Sequence, residues 1–431
     1  MAQYENYKLT YSLGFEKIPE EWNLKKVKYL FNIGRGRVIS QEELMDNGLY
    51  PVFSSQTQNN GCLGYINTFD FDCEQLTWTT DGANAGTVFI RSGKHNCTNV
   101  CGTLQPIKNQ AHLKFSHYAL QYATQFHKRP DTNGAKIMNN EMAEISFALP
   151  SQQEQFKIVE YLNYETSKID SLIAKQEKLI ELLKEKRQAV ISHAVTKGLN
   201  PEVAMKDSGV EWLEQVPEHW EVSTIGYYAK VTNGTTPSKA NLSYWDKEEI
   251  PWLSSGEVNQ YYIVEASEYI TAKALAECSL ELLPIGTVVM GMIGQGKTRG
   301  LSAITEIEAT INQNLAALVT YPKLNNEYLH YYLQAAYDYM REEGRGGNQA
   351  ALNCEIIRKF PITIPPSEEQ LQIVEKIKKL SITYKALIHK AESAIQLMQE
   401  RRTALISSAV TGKVDVRNWQ DPNEAKTGVS A

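Results

Sequence analysis

A stretch of about fifty residues occurs twice in this chain, and no other feature restricts its fold as strongly. LPSQQEQFKIVEYL from Leu149 aligns with IPPSEEQLQIVEKI from Ile364 at an offset of 215, and the match continues without a gap to Thr196 and Thr411. About twenty of some fifty positions are identical, far above chance for an ungapped pairing. A shorter echo pairs IPEEW at 18–22 with VPEHW at 216–220. Each half therefore follows one plan: an Ile/Val-Pro-Glu-x-Trp opening, a variable body, a Pro-x-x-x-Glu-Gln signal and the repeated segment.

That segment reads as a long helix. Steps of three and four lead from Val159 through Leu162, Thr166, Ile169, Ile173, Gln176, Ile180, Leu183, Arg187 and Val190 to Ala194, a mostly apolar heptad line. In the second copy the line runs from Val374 to Ala409, and the polar exceptions coincide: Thr166 with Ser381, Arg187 with Arg402. Pro150 and Pro365-Pro366 mark the starts, and Gly198 and Gly412 the ends. A helix of about 43 residues is roughly 65 Å long. Such a rod is longer than a domain of about 140 residues is wide, so it needs a further partner. The other copy, lying antiparallel under a pseudo-twofold relation, is the expected one, with the two bodies held apart at opposite ends.

The bodies carry short β-like runs and glycine turns, with one helical stretch late in each, His112 to Gln125 and Glu327 to Met340. The predicted organisation is a first body at 14–148, a helical region at 149–206, a second body at 207–363, a helical region at 364–416 and a polar tail at 417–431. The fold class is α+β: two β-rich α/β bodies separated by two long antiparallel helices that form a coiled coil. The bodies have diverged far more than the rods. Within one gene this suggests a mechanical part kept twice and a reading part specialised twice.

At 431 residues with 42% hydrophobic content the chain can build two or three cored domains, and no apolar run approaches a membrane span. The start MAQYENYKLT lacks a basic segment followed by an apolar one, so a cytoplasmic location is expected. The net charge of −6 argues at first against a nucleic-acid partner. The excess acid, however, lies almost wholly in 207–363, with about 11 basic against 20 acidic residues. A DNA surface there has to be a local patch, and binding without a basic partner should be weak. Six cysteines without a Cys-x-x-Cys pair are expected to be reduced. His95, Cys97 and Cys101, with Cys62 and Cys73 upstream, allow a zinc site, but the spacing matches no common finger and buried thiols are the favoured reading.

GMIGQGKT at 291–298 fits the phosphate-loop template. That template needs a strand before the loop and a helix beginning at the Lys-Thr. Thr287 to Met290 supply the strand, but Arg299-Gly300 interrupts any helix, and Leu301 to Thr305 and Ala309 to Ile311 read as extended segments. A glycine turn between strands, with Gln295, Lys297, Thr298 and Arg299 offered to an anionic polymer, is the alternative to a nucleotide site.

With the repeat in place, the chain closely resembles the specificity subunit of type I restriction-modification enzymes. The resemblance covers nearly the whole length. It rests on the two Pro-x-x-x-Glu-Gln starts, the junction DSGVEWLEQVPEHWEV at 207–222, and the body segments IPWLSSGEV at 250–258, TWTTDGANAG at 77–86 and INQNLAAL at 311–318. It implies that each body is a target-recognition domain reading half of a split, asymmetric site in double-stranded DNA. It implies too that the helical regions form a spacer and dock two methyltransferase subunits, with motor and endonuclease subunits joining the complex. Catalysis is then expected on other chains. S-adenosylmethionine, ATP and Mg belong to the partners, with no cofactor or metal on this chain and no membrane partner. In agreement, no Asn/Asp-Pro-Pro-aromatic element is found, and Asp421-Pro422-Asn423 does not fit it.

Base-edge reading calls for Arg or Lys toward guanine and Asn or Gln toward adenine, on loops backed by a sheet. Candidates in the first body are Arg35, Arg37, Ser55, Gln56, Asn59, Asn60, Asp81, Asn84 and Lys94. In the second body they are Thr235, Thr236, Ser238, Lys239, Ser255, Glu257, Gln295, Lys297, Thr298, Arg299, Arg345, Asn348 and Gln349. Asn312, Gln313 and Asn314 read as residues that bond neighbouring loops. On the rods, Lys175, Lys178, Lys184 and Lys186, with Lys376, Lys378, Lys379 and Lys385, are either solubilising charge or part of two equivalent docking faces. Two other readings compete: a stand-alone DNA-binding regulator or coiled-coil scaffold, and a nucleotide-dependent enzyme built on 291–298.

Overall fold

Two proline-started helices dominate the computed structural model, Gln152–Lys197 and Ser367–Val410, 46 and 44 residues long. The structure describes residues 3–108, 110–132, 134–294, 296–344 and 351–422. Along both helices the seam positions are the less exposed ones, from Leu162 through Ile173 and Ile180 to Ala194, and from Val374 through Ile388 and Ile395 to Ala409. The two exceptions behave as seam residues too. Thr166 is buried because its hydroxyl donates back to the Leu162 carbonyl at 2.6 Å, and Arg187 is half-buried.

Contacts divide the chain into two units, 1–177 with 393–431, and 178–392. In the first, a body, the beginning of the first rod and the end of the second share one core. Leu76, Trp78, Leu104, Phe115 and Phe147 cluster with Val159, Leu162, Ile406, Ala409 and Val410. The rod segments run antiparallel there, since Tyr161 meets Trp419 while Asp170 meets Arg402 farther along. The second unit repeats this with the end of the first rod and the beginning of the second. Ile191, Ala194 and Val195 join Ile373, Val374 and Ile377 around Tyr328 and Tyr332.

Both bodies use one sheet plan. In the first, four antiparallel strands lie in the order Val88–Arg91, Gln75–Thr79, Cys101–Pro106, Phe31–Arg35. All five residues of the inner strand QLTWT are buried, which suits its β-branched and aromatic content. In the second, the order Ser302–Thr305, Val288–Gly291, Leu315–Thr320, Ala229–Asn233 is the same, with Tyr262–Ile263 added in parallel at the edge. A smaller sheet accompanies each. Tyr50–Phe53 runs parallel to Lys94–Cys97, as Ile250–Leu253 does to Thr310–Ile311. The late body helices are Leu113–Ala123, and Asn326–Ala335 followed by Tyr337–Glu342.

The Gln of each Pro-x-x-x-Glu-Gln signal joins rod to body. Gln155 is buried, accepts from the backbone N–H of His112 at 2.8 Å and donates to the Pro150 carbonyl. Gln370 does the same with Asn325 and Pro365, and also donates to the Lys323 carbonyl. His112 and Asn325 are the N-caps of the body helices, so one amide ties two helix starts together. The Trp of each opening meets a glycine that ends a rod in left-handed conformation: Trp220 at Gly198, and Trp22 at Gly412. Trp220 also donates its indole N–H to Glu369 at 3.0 Å.

Candidate nucleic-acid interface

In the first unit three strand ends and one loop converge. The Arg35–Arg37 segment follows the strand paired to Gly102, and the Gly36 and Arg37 N–H groups donate to the carbonyls of Cys101 and Cys97. Thr98 donates its N–H to Phe53 and its hydroxyl to Ser54 at 3.0 Å, which brings in the 54–60 loop. Thr80 donates to the Val100 carbonyl, which adds the turn beginning at Asp81. The backbones approach so closely that a Cβ at Gly36 would stand 2.1 Å from the Cys97 oxygen. Arg35, Arg37, Ser55, Gln56, Asn59, Asn60, Asp81 and Asn84 thus share one end of the body.

Their states differ. Arg35 is exposed, with only long contacts to Thr80 and Met138. Arg37 is held by Glu43 at 2.8 Å and Asp70 at 3.3 Å, and the Glu43 hydrogen bond raises its pKa. Gln56 donates to the Cys62 carbonyl. Asn59 and Asn60 are exposed at φ 48° and 53°, a conformation that asparagine tolerates. Beneath them lies Arg91, 2% exposed, which donates to the Asn60 carbonyl and Thr77 and is flanked by the rings of Phe53 and Phe89 at 3.6 and 4.4 Å. Burial lowers its pKa to about 10. Lys94 stands apart, at the far end of the Lys94–Cys97 strand above Phe69.

The second unit repeats the convergence with different side chains. The N–H groups of Gly234 and Thr235 donate to Asn312 and Ile311, Asn312 donates to Leu253, and Met292 donates to Asn314. A Cβ at Gly234 would lie 1.7 Å from the Ile311 oxygen, the counterpart of the Gly36 approach. Thr235, Thr236, Ser255, Lys297, Thr298 and Arg299 are thereby brought to one end. Asn312 and Gln313 act as the loop-bonding residues expected of them. Asn312 accepts from the Asn314 N–H, and Gln313 accepts from the Thr236 hydroxyl at 2.5 Å. Glu257 is 5% exposed and turned inward, accepting from Ser267 and Gln260, so it holds its own loop rather than facing solvent. Lys239 lies over Trp245 at 3.6 Å and pairs with Glu268, while Ser238 accepts from the Trp245 indole. Gln295, Arg345, Asn348 and Gln349 lie outside the described residues.

The described residues 292–294 and 296–298 lie at the tip of a hairpin between Val288–Gly291 and Ser302–Thr305, closed by Gly291 N–H to Leu301 and Gly300 N–H to Gly291. No helix begins at Lys297. Tyr337 donates its hydroxyl to the Lys297 carbonyl at 2.6 Å, and Arg341 donates to the carbonyls of Gly296 and Arg299. The amide groups that would cradle a phosphate are therefore not aligned on a helix axis. The tip occupies the place that Asp81–Gly86 takes in the first sheet.

Sequence reasoning missed one basic element. Arg129–Asp131 and Gly134–Lys136 pair antiparallel, and the second of them pairs with Asp81–Gly82 to complete a three-stranded sheet beside the converging loops. Its signal was the turn-like run Lys128-Arg129-Pro130-Asp131. Arg129 pairs there with Glu141 and Lys136 with Asp131. All six cysteines are free, and among the described residues no group of three or more His, Cys, Asp and Glu is placed to hold a metal. His95 hydrogen-bonds Gln75 at 2.8 Å and stacks on Phe71. No helix among the described residues is long and apolar enough to cross a membrane.

Residues 19–182 and 217–397 match the family model described as type I restriction modification DNA specificity domain. A type I specificity subunit N-terminus from Mycoplasma pneumoniae is 42% identical over 139 residues, 32% of this chain and 74% of that protein. Another from the same organism is 38% identical over 157 residues, 36% of this chain and 43% of its own length. The specificity subunit of an Escherichia coli type I restriction enzyme is 25% identical over 202 residues, 46% of this chain and 48% of its own. The chain thus spans less than half of the latter two. Among solved structures, a chain from a study of type I R-M complex assembly and conformational transition aligns with TM-score 0.68 at 13% identity, over 92% of this chain and 99% of that one. The HsdS subunit from Thermoanaerobacter tengcongensis aligns with TM-score 0.51 at 14% identity, over 92% and 98%. At these identities the structural likeness concerns the fold.

Proposed function

The chain belongs to the type I restriction-modification DNA specificity family, and from that premise we propose that it is the non-catalytic, sequence-reading subunit of a type I restriction-modification complex. Each body reads one half of a two-part, asymmetric site in double-stranded DNA. The rods set the gap and dock two methyltransferase subunits, through which motor and endonuclease subunits join. S-adenosylmethionine, ATP and Mg act on those partners. One observation carries the reading: polar loops converge at the same end of the same sheet plan in both units, around a closely approached glycine at 36 and at 234. A rigid end with varied side chains is what discrimination of base edges requires.

The rods supply a second support. Leu172 and Leu387 are identical across the repeat and exposed, as are Leu182 and Leu397. Leucines kept outward twice favour docking faces over solubilising charge alone.

The test is methylome sequencing of DNA from a methylation-free host that expresses this chain with its neighbouring methyltransferase, against a control lacking this chain. Modified adenines in a two-part motif with a fixed gap, present only with this chain, are expected. Failure of the two proteins to associate would instead favour a stand-alone DNA-binding regulator.

A further inference from the structure

The internal repeat places one ion pair in the first unit and denies it to the second. Asp170 accepts from Arg402 at 2.8 Å, across the two rod segments. At the repeat's offset of 215, Arg402 corresponds to Arg187 and Asp170 to Lys385. In the second unit, therefore, two cations stand where the first has an acid and a base. Both line a cavity of about 290 Å³, together with Ile191, Tyr261, Tyr331 and Lys378.

Nothing in the cavity wall neutralises them. The nearby carboxylate, Glu327, is occupied by Lys378 at 2.6 Å and by the Tyr262 hydroxyl at 2.5 Å. Among the described residues neither Arg187 nor Lys385 has an ion-pair partner, and the buried Nε of Arg187 has no hydrogen-bond partner. Leaving such a donor unmade is costly, as is placing like charges together, unless an anion completes the site. The remaining lining is largely apolar and flat. Tyr261 sits edge-on to His330 at 4.4 Å and to Tyr262 at 4.5 Å, and Ile191 closes one side. In the first unit the residue at the place of Lys378 is Asn163, which accepts from the Tyr118 hydroxyl at 3.1 Å, so that unit has neither the third cation nor the unpaired arginine.

We propose that this cavity is a binding site for a small organic anion, a phosphate or carboxylate carried on an aromatic body, with Arg187 and Lys385 taking the charge and the tyrosines taking the ring. A few converging polar groups on an apolar wall are the usual construction of a small-molecule site, and the volume stands near the lower end of that range. The site is independent of the DNA reading, because none of its residues belongs to the loops argued to face the duplex.

Phenyl phosphate is the probe, titrated calorimetrically into the full-length protein at low ionic strength, with inorganic phosphate alongside. Saturable binding is expected, roughly tenfold tighter for phenyl phosphate than for inorganic phosphate because the ring is buried. Lys385→Asp should reproduce the pairing of the first unit, reduce the affinity at least about tenfold and raise Tm by about 1–2 °C. Lys385→Gln, which removes the repulsion without adding a partner, should weaken binding and raise Tm less than Lys385→Asp does. Absence of saturable binding by the wild-type chain would overturn the proposal. So would an affinity that Lys385→Asp leaves unchanged, or equal binding of both anions, which would mean nonspecific attraction to exposed lysines.

Discussion

Tyr337 and Arg341 hold the 296–299 turn by its carbonyl oxygens and leave the Lys297 side chain exposed. On the proposed function such a cation faces DNA rather than a nucleotide. Lys297→Ala is expected to weaken DNA binding by the assembled complex several-fold and to reduce the slope of log affinity against log salt by about one. Anisotropy titrations across salt concentrations check this, and calorimetry with ATP should give no signal in either form; ATP binding abolished by the substitution would restore the nucleotide reading. Two histidines set a different residue-scale expectation. Burial lowers the pKa of His330 to about 3 and that of His117 to about 4, and each ring hydrogen-bonds as a neutral group, to Ser302 and Gln334 and to the Val88 carbonyl. Unfolded, both have pKa values near 6.5, so below that pH the unfolded chain takes up protons that the folded one refuses. Stability should therefore be complete above about pH 6.5 and fall as pH drops toward 4, by up to about 1.4 kcal/mol per unit for each group. Tm measured from pH 7 to 4.5 tests the slope, which His330→Gln should reduce by about half. Residue roles were the least legible in the sequence. Glu257 and Arg37 look like any polar loop residue until the loop geometry that turns them onto Ser267 and Gln260, and onto Glu43 and Asp70, is known.

At the scale of elements, the rods were readable because a heptad line of some forty residues has one interpretation, and their ends because Pro and Gly act locally. The sheets were not. Several strands are two to four residues long, too short for a period, and their order depends on pairings such as Ile250–Leu253 with Thr310–Ile311 that no neighbouring residue signals. The Pro-x-x-x-Glu-Gln signal reads as a helix start, yet its Gln has the larger task of joining two helices. Gln370→Ala would leave the Asn325 N–H and the carbonyls of Lys323 and Pro365 without that partner in a buried place. A loss of about 2–3 kcal/mol is expected from denaturant unfolding. Gln370→Glu, which keeps the acceptor but sets a buried carboxylate oxygen against the Lys323 and Pro365 carbonyls, should cost at least as much. The outer leucines make the opposite prediction. Leu182→Glu with Leu397→Glu should leave Tm within about 1 °C of the parent, since both side chains are exposed, while the methyltransferase no longer co-purifies. Unchanged co-purification would move the docking face elsewhere on the rods.

For the molecule as a whole, the repeat made a doubled plan legible but not how each half is completed. Trp22 meets Gly412 across almost the full chain, and Trp220 meets Gly198 across the junction. Contacts at such separation leave only the faint echo of the Pro-Glu-x-Trp openings. Each unit is thereby assembled from the start of one rod and the end of the other, so the two rods cannot be changed singly. Deleting seven residues from one rod alone would break partnerships such as Asp170 with Arg402, and loss of folding or of methylation is expected. Deleting 173–179 together with 388–394 removes corresponding heptads, keeps the seam in phase and shortens each helix by about 10 Å. If the rods set the distance between half-sites, the gap in the methylated motif should shrink by roughly three base pairs. Three base pairs also turn one half-site about the duplex by roughly 100°, given about 10.5 pairs per turn. Methylation is consequently expected to be weaker, and best sought on a DNA library with randomised gap lengths. A shorter preferred gap with both half-sites unchanged would establish the rods as the ruler, whereas an unchanged gap would assign the spacing to the methyltransferase subunits or to the DNA itself.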